Sequence, residues 1–212
     1  MSNGLFLGSA APASGPMDEP LTPELVLAGY RAGVFPMADQ DGCIYWFSPD
    51  PRTIFEFERF RVPRSLRQVI RRGVFEVRVN TAFDEVIAAC ADRPEGSWIS
   101  PEIAAVYRGL HQRGHAHSVE AWREGQLAGG LYGVAVGGAF FGESMFHRVS
   151  DASKVALVAL LERLPQRGFV LVDTQWTTPH LARFGAVEIP RREYLARLHA
   201  ATRLPCRFVD EA

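Results

Sequence analysis

Apolar runs separated by short polar or glycine-containing breaks occupy much of the second half of the chain, and this pattern predicts strands. Three runs, at residues 116–123, 126–136 and 139–146, are separated only by Glu124-Gly125 and Gly137-Gly138. Two-residue breaks that contain glycine favour hairpin turns. Further strands are predicted at residues 74–79 and 169–174, with a weak strand between the last two helices.

Capping residues and glycines delimit the predicted helices. Thr22-Pro23-Glu24 and Ser100-Pro101-Glu102 each place a hydroxyl at the N-cap and a proline in the first turn. Gly33 and Gly114 end these two helices. The other helices are predicted at residues 63–72, 81–91, 151–164, 179–184 and 191–200.

The first 60 residues predict a small separate unit. Residues 1–21 are rich in glycine, alanine, serine and proline, and we expect them to be disordered. Residues 44–52 present aromatic side chains but contain two prolines, which disfavour a central strand, so we expect a structured loop. The predicted organisation is a disordered segment at 1–21, a small N-terminal domain at 22–60 and a catalytic domain at 61–212.

The order of elements in the larger domain is β-α-α-β-β-β-α-β-α, which resembles that of acyltransferases of the GNAT type. The predicted fold class is therefore α+β, a mixed sheet flanked by helices. A fold analogy alone does not specify a reaction.

Two predicted strands carry an acidic residue inside an apolar run, Glu143 in one and Asp173 in the other. Side chains alternate between faces along a strand, so Met145 is expected to share a face with Glu143, and Gln175 with Asp173. A carboxylate in apolar surroundings needs a partner or has a chemical task. These four residues are the candidates for chemistry, and a structural cap or a buried ion pair is the alternative for the two acids.

Composition narrows the class of protein. The 212 residues are 47% apolar, which is typical of a globular protein with a core. The three cysteines are far apart and form no C-x-x-C motif, which favours a reducing compartment. No apolar run approaches the ~20 residues of a membrane span, and we expect a cytoplasmic protein. His111, His115 and His117 lack a supporting carboxylate or cysteine pattern, so we expect no metal site.

Positive charge is concentrated in residues 59–78, which contain seven arginines and only one acidic residue. On the predicted helix at 63–72, one face holds Arg64, Arg67 and Arg71, with Arg72 at the end, and the opposite, core-facing stripe holds Leu66, Val69 and Ile70. An arginine face of this kind suits a polyanion, and a solvated helix face is the alternative.

Six short motifs occur in an order and spacing typical of one family. They are Tyr30-Arg31-Ala32-Gly33-Val34-Phe35-Pro36, Trp46-Phe47-Ser48-Pro49-Asp50-Pro51-Arg52, Gly114-His115-Ala116-His117-Ser118-Val119-Glu120, Gly142-Glu143-Ser144-Met145-Phe146, Ala152-Ser153-Lys154 and Asp173-Thr174-Gln175. Together they resemble leucyl/phenylalanyl-tRNA–protein transferase over about residues 22–200.

The resemblance implies transfer of Leu or Phe, and sometimes Met, from aminoacyl-tRNA to the N-terminal Arg or Lys of a protein. The modified protein is thereby marked for degradation by the bacterial N-degron route. It also implies a small N-terminal domain beside a GNAT-like domain, and no cofactor: neither metal, ATP nor acetyl-CoA. We expect a monomer that acts away from membranes.

The resemblance also assigns roles to residues. We expect Asp173 to take a proton from the acceptor amine through Gln175, and Glu143 to attract the cationic acceptor. The residues expected to bind substrate are Tyr30, Met37 and Trp46, and, around the Leu or Phe side chain, Leu131, Phe140 and Met145. Met37 stands where family members often have tryptophan. Arg64, Arg67, Arg71 and Arg72 are expected to hold the acceptor stem of the tRNA.

Three alternatives are left open. An acetyl-CoA-dependent N-acetyltransferase would need a glycine-bearing loop before the helix at 151, and residues 147–151 contain no glycine. A non-catalytic RNA-binding module would use the arginines but leave Asp173, Gln175 and Glu143 without a task. The third is transfer from tRNA to a cell-wall peptide or a lipid.

Overall fold

The structure is a computed structural model, and it describes residues 12–17, 19–94 and 96–210. The helices are α1 (Pro23–Ala32), α2 (Arg64–Arg71), α3 (Phe83–Ala91), α4 (Pro101–Gln112), α5 (Ala152–Gln166), α6 (Pro179–Arg183) and α7 (Arg191–Ala201). The strands are β1 (Phe35–Ala38), β2 (Ile44–Phe47), β3 (Arg52–Phe55), β4 (Glu76–Val79), β5 (Ala116–Arg123), β6 (Gln126–Val136), β7 (Ala139–His147), β8 (Leu171–Gln175) and β9 (Ala186–Ile189). Within the described ranges, no helix is long and apolar enough to cross a membrane.

Seven strands form one mixed sheet in the order β4-β5-β6-β7-β8-β3-β9. Neighbouring strands are antiparallel except β7 and β8, which run parallel. The predicted α+β class is therefore confirmed, as are the two hairpins that join β5, β6 and β7. The GNAT-like relationship stays a prediction.

Helices cover both faces of the sheet. On one face, α1, α3, α4 and α7 pack with the β1–β2 hairpin around a cluster that includes Tyr107 and Phe141. On the other face, α5 buries its aliphatic side chains against β5, β6 and β7. The predicted N-caps are present, since Thr22 Oγ1 accepts from Leu25 N at 3.2 Å and Ser100 Oγ from Ile103 N at 3.2 Å.

The loop predicted at residues 44–52 is wrong for its first half. Ile44–Phe47 is strand β2, which pairs with β1 in a two-stranded sheet. Pro49 and Pro51 do not prevent this pairing because both lie after the strand, in the connection to β3. That connection leads directly into the large sheet, where β3 lies between β8 and β9.

The predicted domain division stays a prediction, and two observations bear on it. Strand β3 precedes the predicted boundary at residue 60 but belongs to the seven-stranded sheet. Of the segment expected to be disordered, residues 1–11 and 18 lie outside the described residues. Ala13 N and Met17 N donate to the carbonyl groups of Trp46 and Ile44 at 2.7 and 2.9 Å, alongside β2.

Helix α2 lies at one edge of the α5 face, and its arginines point to solvent. Arg64, Arg67, Arg71 and Arg72 are all exposed, as expected. The predicted core stripe is only partly right: Leu66 is buried, but Ile70 is 39% exposed. The reason is that this short helix packs against α5, which covers a narrow stripe of it rather than a broad one.

Candidate active site

A cavity of about 320 Å³ lies where strands β7 and β8 separate. Their parallel pairing ends at Phe141 and Asp173, yet β7 continues as far as His147. The residues beyond that point, 142–145 on β7 and 174–176 at the end of β8, line the cavity. The gap in the sheet therefore exposes backbone and side chains of two central strands.

A β-bulge places Glu143 at this gap. Tyr132 on β6 lies opposite Ser144, and Gly133 lies opposite Gly142, so Glu143 is the extra residue on β7. A bulge bends a strand and re-aims a side chain. A Cβ atom at Gly133 would overlap the carbonyl oxygen of Phe141, which explains why glycine occupies this position.

The bulge also overturns one prediction, that Glu143 and Met145 share a face. Met145 packs into the α5-side cluster, together with its cross-strand partner Leu131. Glu143 instead meets Tyr107 of α4, on the opposite side of the sheet. Both residues still line the cavity, because the cavity occupies the gap rather than one face.

Most of the cavity wall is apolar. Aliphatic and thioether side chains form one part of it: Leu131, Met145, Leu157, Leu160, Val172 and Leu181. Aromatic rings, Phe35, Trp98 and Trp176, stand with Met37 in another part. The walls can therefore bury an apolar side chain of leucine or phenylalanine size.

Glu143 is the carboxylate in this wall. The Tyr107 hydroxyl donates to its Oε2 at 3.4 Å, the Gln175 side-chain amide donates to its Oε1 at 3.4 Å, and the hydroxyls of Tyr30 and Tyr107 lie 2.5 Å apart. Burial raises the pKa of Glu143 to about 8, although hydrogen bonding by the tyrosines opposes the shift. A group with such a pKa can hold or release a proton near neutral pH.

Asp173 has a different environment. It is fully buried, and the guanidinium of the fully buried Arg52 holds both of its oxygens, with Nε to Oδ1 at 2.9 Å and Nη2 to Oδ2 at 2.6 Å. The Tyr194 hydroxyl donates to Oδ2 at 2.7 Å, and the Gln175 backbone N–H donates to Oδ1 at 2.9 Å. Asp173 thus fixes the end of β8 through the Gln175 backbone.

The expected proton relay from Asp173 through the Gln175 side chain is therefore not the arrangement found. The Gln175 side-chain amide is directed to Glu143, and the Asp173 carboxylate is occupied by Arg52, Tyr194 and a backbone N–H. The physical reason is the positive φ of Gln175, 59°, which turns the chain at the end of β8.

The other predicted residues divide into two groups. Met37, Leu131 and Met145 line the cavity together with Glu143 and Gln175. Tyr30, Trp46 and Phe140 are not among its lining residues.

Tyr30, Trp46 and Phe140 lie elsewhere in the fold. Tyr30 is fully buried behind the cavity wall, where its hydroxyl lies against that of Tyr107 and its hydrogen bonding to Glu143 opposes the raised pKa of that carboxyl. Trp46 covers Gly29 of α1. Phe140 lies before the point where β7 and β8 separate, and it packs against Phe208 with ring centroids 5.2 Å apart.

Sequence reasoning missed several residues of the site. Arg52 lies inside one of the six motifs, but no feature of the sequence indicates that it pairs with Asp173, 121 residues away. Tyr107 and Tyr194 sit at buried helix positions, where an aromatic residue ordinarily indicates core packing. Arg93 donates to Ser144 Oγ at 3.1 Å and to the Met145 carbonyl at 2.9 Å, which holds β7 beyond the bulge.

Two parts of the chain match models of one protein family. Residues 54–199 match the family model described as leucyl/phenylalanyl-tRNA protein transferase, and residues 19–50 match the model of that family's N-terminal domain. Proteins named leucyl/phenylalanyl-tRNA–protein transferase from Gloeobacter violaceus and Rubrobacter xylanophilus are each 57% identical over 189 residues. These matches cover 89% of this chain and 97% and 98% of the relatives.

Among solved structures, L-PGS from Bacillus licheniformis is 14% identical with a TM-score of 0.39, covering 73% of this chain and 53% of that one. A likeness at this level carries no argument about fold or function.

Proposed function

Because the chain belongs to the leucyl/phenylalanyl-tRNA–protein transferase family, we propose that its transfer reaction takes place in the cavity between β7 and β8. The enzyme moves leucine or phenylalanine from aminoacyl-tRNA to the amino terminus of a protein. One observation carries the location: a single cavity combines an aliphatic wall with a carboxylate whose pKa is about 8.

The two substrates need different surroundings, and the cavity offers both. The Leu or Phe side chain of the donor is buried against Leu131, Met145 and Leu160, where each buried CH₂ contributes ~0.8 kcal/mol. The amine of the acceptor is a cation until it loses a proton, and Glu143 is the carboxylate that faces it. The ester carbonyl then lies between the two groups.

The chemistry is aminolysis of an activated ester. The acceptor nitrogen attacks the carbonyl carbon of the aminoacyl ester, a C–N bond forms, and the bond from that carbon to the ribose oxygen breaks. The acceptor ammonium first loses one proton to become the nucleophile, and a second proton leaves the nitrogen as the C–N bond forms. One proton reaches the departing ribose oxygen, so atoms and charges balance with the net release of one proton. Holding ester and amine together in one cavity supplies much of the rate by proximity.

We assign the proton-holding role to Glu143. Its pKa of about 8 is close to that of an α-amino group, ~7.7–8.0, so the proton moves between them at little cost in free energy. Gln175 orients Glu143 through its side-chain amide, and Asp173 holds Gln175 through its backbone. Asp173 is therefore a positioning residue rather than a base.

We also propose how the protein recognises its acceptor and its tRNA. Acceptors begin with Arg or Lys, whose positive side chains suit an acidic site. Arg64, Arg67, Arg71 and Arg72 bind phosphates of the acceptor stem, because α2 exposes them on the flank of α5, which also forms the cavity wall. The protein acts as a monomer, and its catalytic domain is of the GNAT type.

The test is transfer of labelled leucine from Leu-tRNA to short peptides that differ only in their first residue, Arg, Lys or Ala. We expect labelling of the Arg and Lys peptides and little of the Ala peptide. Equal labelling of all three would remove the acceptor preference. Consumption of acetyl-CoA in a parallel reaction, without transfer of leucine, would contradict the proposed reaction itself.

A further inference from the structure

Two unpartnered polar atoms belong to residues that line the cavity. In the part of the chain that the structure describes, five buried side-chain nitrogen or oxygen atoms have no hydrogen-bond partner. Tyr132 Oη and His180 Nε2 are the two whose residues border the cavity. Buried polar groups are normally paired, so such an atom next to a binding cavity indicates a partner supplied by a ligand.

His180 is firmly placed at the α6 side of the cavity. Thr178 caps α6, with its Oγ1 accepting from Leu181 N at 3.1 Å, and the ring of Phe184 packs edge-on to the imidazole at 5.2 Å. Leu181, the next residue along the chain, is part of the aliphatic wall. The imidazole therefore lies beside the region that holds the acyl side chain.

The charge around His180 is positive. Burial, and after it the charges of Lys154, Arg183 and His147, lower the pKa of His180, so its imidazole is neutral at pH 7. Lys154 is paired with Asp151 at 2.7 Å. Arg183 is exposed on α6, is close enough to His180 for its charge to lower the pKa of the imidazole, and has no ion pair within the described ranges.

We propose that His180 is a substrate-contacting residue that hydrogen-bonds to the ribose of the terminal nucleoside of the aminoacyl-tRNA, and that Arg183 attracts the adjoining phosphate. The inference rests on the proposed function and names the side of the cavity that the donor occupies. A neutral imidazole has one donor and one acceptor, which matches a ribose hydroxyl.

Charge decides which of the two substrates lies here. The acceptor brings a positive amino terminus, and the positive surroundings of His180 oppose it. The donor is a polyanion and is attracted. Covalent connectivity agrees, because the ribose is joined to the acyl group through the ester and must lie next to the aliphatic wall, as His180 does next to Leu181.

Helix α5 connects this position with the arginines of α2. Its first turn carries Lys154, and one and two turns later Leu157 and Leu160 form part of the cavity wall. Helix α2 packs against α5. A tRNA whose terminal ribose lies at His180 therefore extends along the flank on which the α2 arginines are exposed.

Three variants isolate the hydrogen bond. His180→Phe keeps a ring against Phe184 but removes both nitrogens, and His180→Gln returns a hydrogen-bonding amide near the position of Nε2. His199→Phe, at an exposed position on α7, is the matched control. We expect kcat/KM to fall about tenfold in His180→Phe, to stay within about threefold of wild type in His180→Gln, and to be unchanged in the control.

Three acyl donors locate the contact: 3′-O-phenylalanyl-adenosine, its 5′-phosphorylated form and Phe-tRNA. A ribose contact predicts the same loss in His180→Phe with all three donors. A phosphate contact predicts that Arg183→Ala loses activity only with the two donors that carry a phosphate.

Wild-type values with every donor in His180→Phe, or a loss confined to Phe-tRNA, would overturn the proposal for His180. Wild-type transfer from Phe-tRNA is measured in the same series. A failure of the His180 proposal is thus distinguishable from a failure of the proposed function, in which the wild type itself transfers nothing. Urea unfolding of His180→Phe checks that any loss of activity occurs in a folded protein.

Discussion

The buried pair of Arg52 and Asp173 gives the sharpest test of how the site is held. Replacing Arg52 by Met removes both hydrogen bonds to the carboxylate, at 2.9 and 2.6 Å, and leaves Asp173 with only the Tyr194 hydroxyl and the Gln175 N–H. Both members of the pair are fully buried, so water cannot take the place of the lost partner. Breaking a buried ion pair from one side costs about 3–5 kcal/mol.

Further contacts of Arg52 disappear in the same variant. Its Nη1 donates to the Gly33 carbonyl at 3.2 Å, and its guanidinium carbon lies 4.9 and 4.5 Å from the ring centroids of Phe35 and Tyr194. We therefore expect Arg52→Met to lose at least ~3 kcal/mol of unfolding free energy, a large part of the ~5–15 kcal/mol typical of a domain.

The measurement is urea unfolding of the wild type, Arg52→Met, Asp173→Asn and the double variant. Because the double variant buries no uncompensated charge, we expect it to be more stable than Arg52→Met by ~2 kcal/mol or more. A loss below ~1 kcal/mol in Arg52→Met, the value of an exposed pair, would refute the reasoning. Transfer by the folded fraction of Asp173→Asn should remain measurable, whereas a role of Asp173 as the base requires its near-complete loss.

Further predictions concern the carboxylate, the unpartnered hydroxyl and the arginines. Because the pKa of Glu143 is raised from 4.5 to about 8, its contribution to stability is full below pH 4.5 and is lost as the pH rises through 8. Glu143→Gln should therefore match the wild type near pH 4 and exceed it in unfolding free energy at pH 8.5, by up to about 5 kcal/mol; parallel pH curves would contradict this. Tyr132→Phe deletes a hydroxyl without a described partner, so its urea midpoint should not fall, and a loss above ~2 kcal/mol would reveal a partner. Alanine at Arg64, Arg67, Arg71 and Arg72 together should reduce the salt dependence of tRNA binding by about one unit of log–log slope per phosphate contact, and an unchanged slope in filter binding would remove their assigned role.

Local signals in the sequence predicted the fold well where the interactions are local. The bounds of β5 and β6 follow from turn residues on either side, and the caps at Thr22 and Ser100 follow from hydroxyl–proline pairs. The loop predicted at residues 44–52 is wrong for its first half. The two prolines indicate where a strand ends, but they do not show whether the residues before them pair with another strand.

The site was predicted only in part, because local sequence signals do not reveal contacts between distant parts of the chain. An acid inside an apolar strand indicated Glu143 and Asp173 correctly as unusual residues. The bulge that separates Glu143 from Met145 depends on the register between β6 and β7, which alternation along one strand cannot reveal. The partner of Asp173 is 121 residues away, and only the position of β3 beside β8 brings Arg52 to it.

The most direct test compares the wild type with Glu143→Gln in single-turnover transfer of leucine from Leu-tRNA to an Arg-headed peptide. Both proteins are first shown to be folded by their urea midpoints. We predict rapid transfer by the wild type and a rate at least ~100-fold lower for the variant, since general acid–base groups contribute ~10²–10⁴ in rate. Transfer by Glu143→Gln within a few-fold of the wild type would contradict the assignment of the reaction to this cavity.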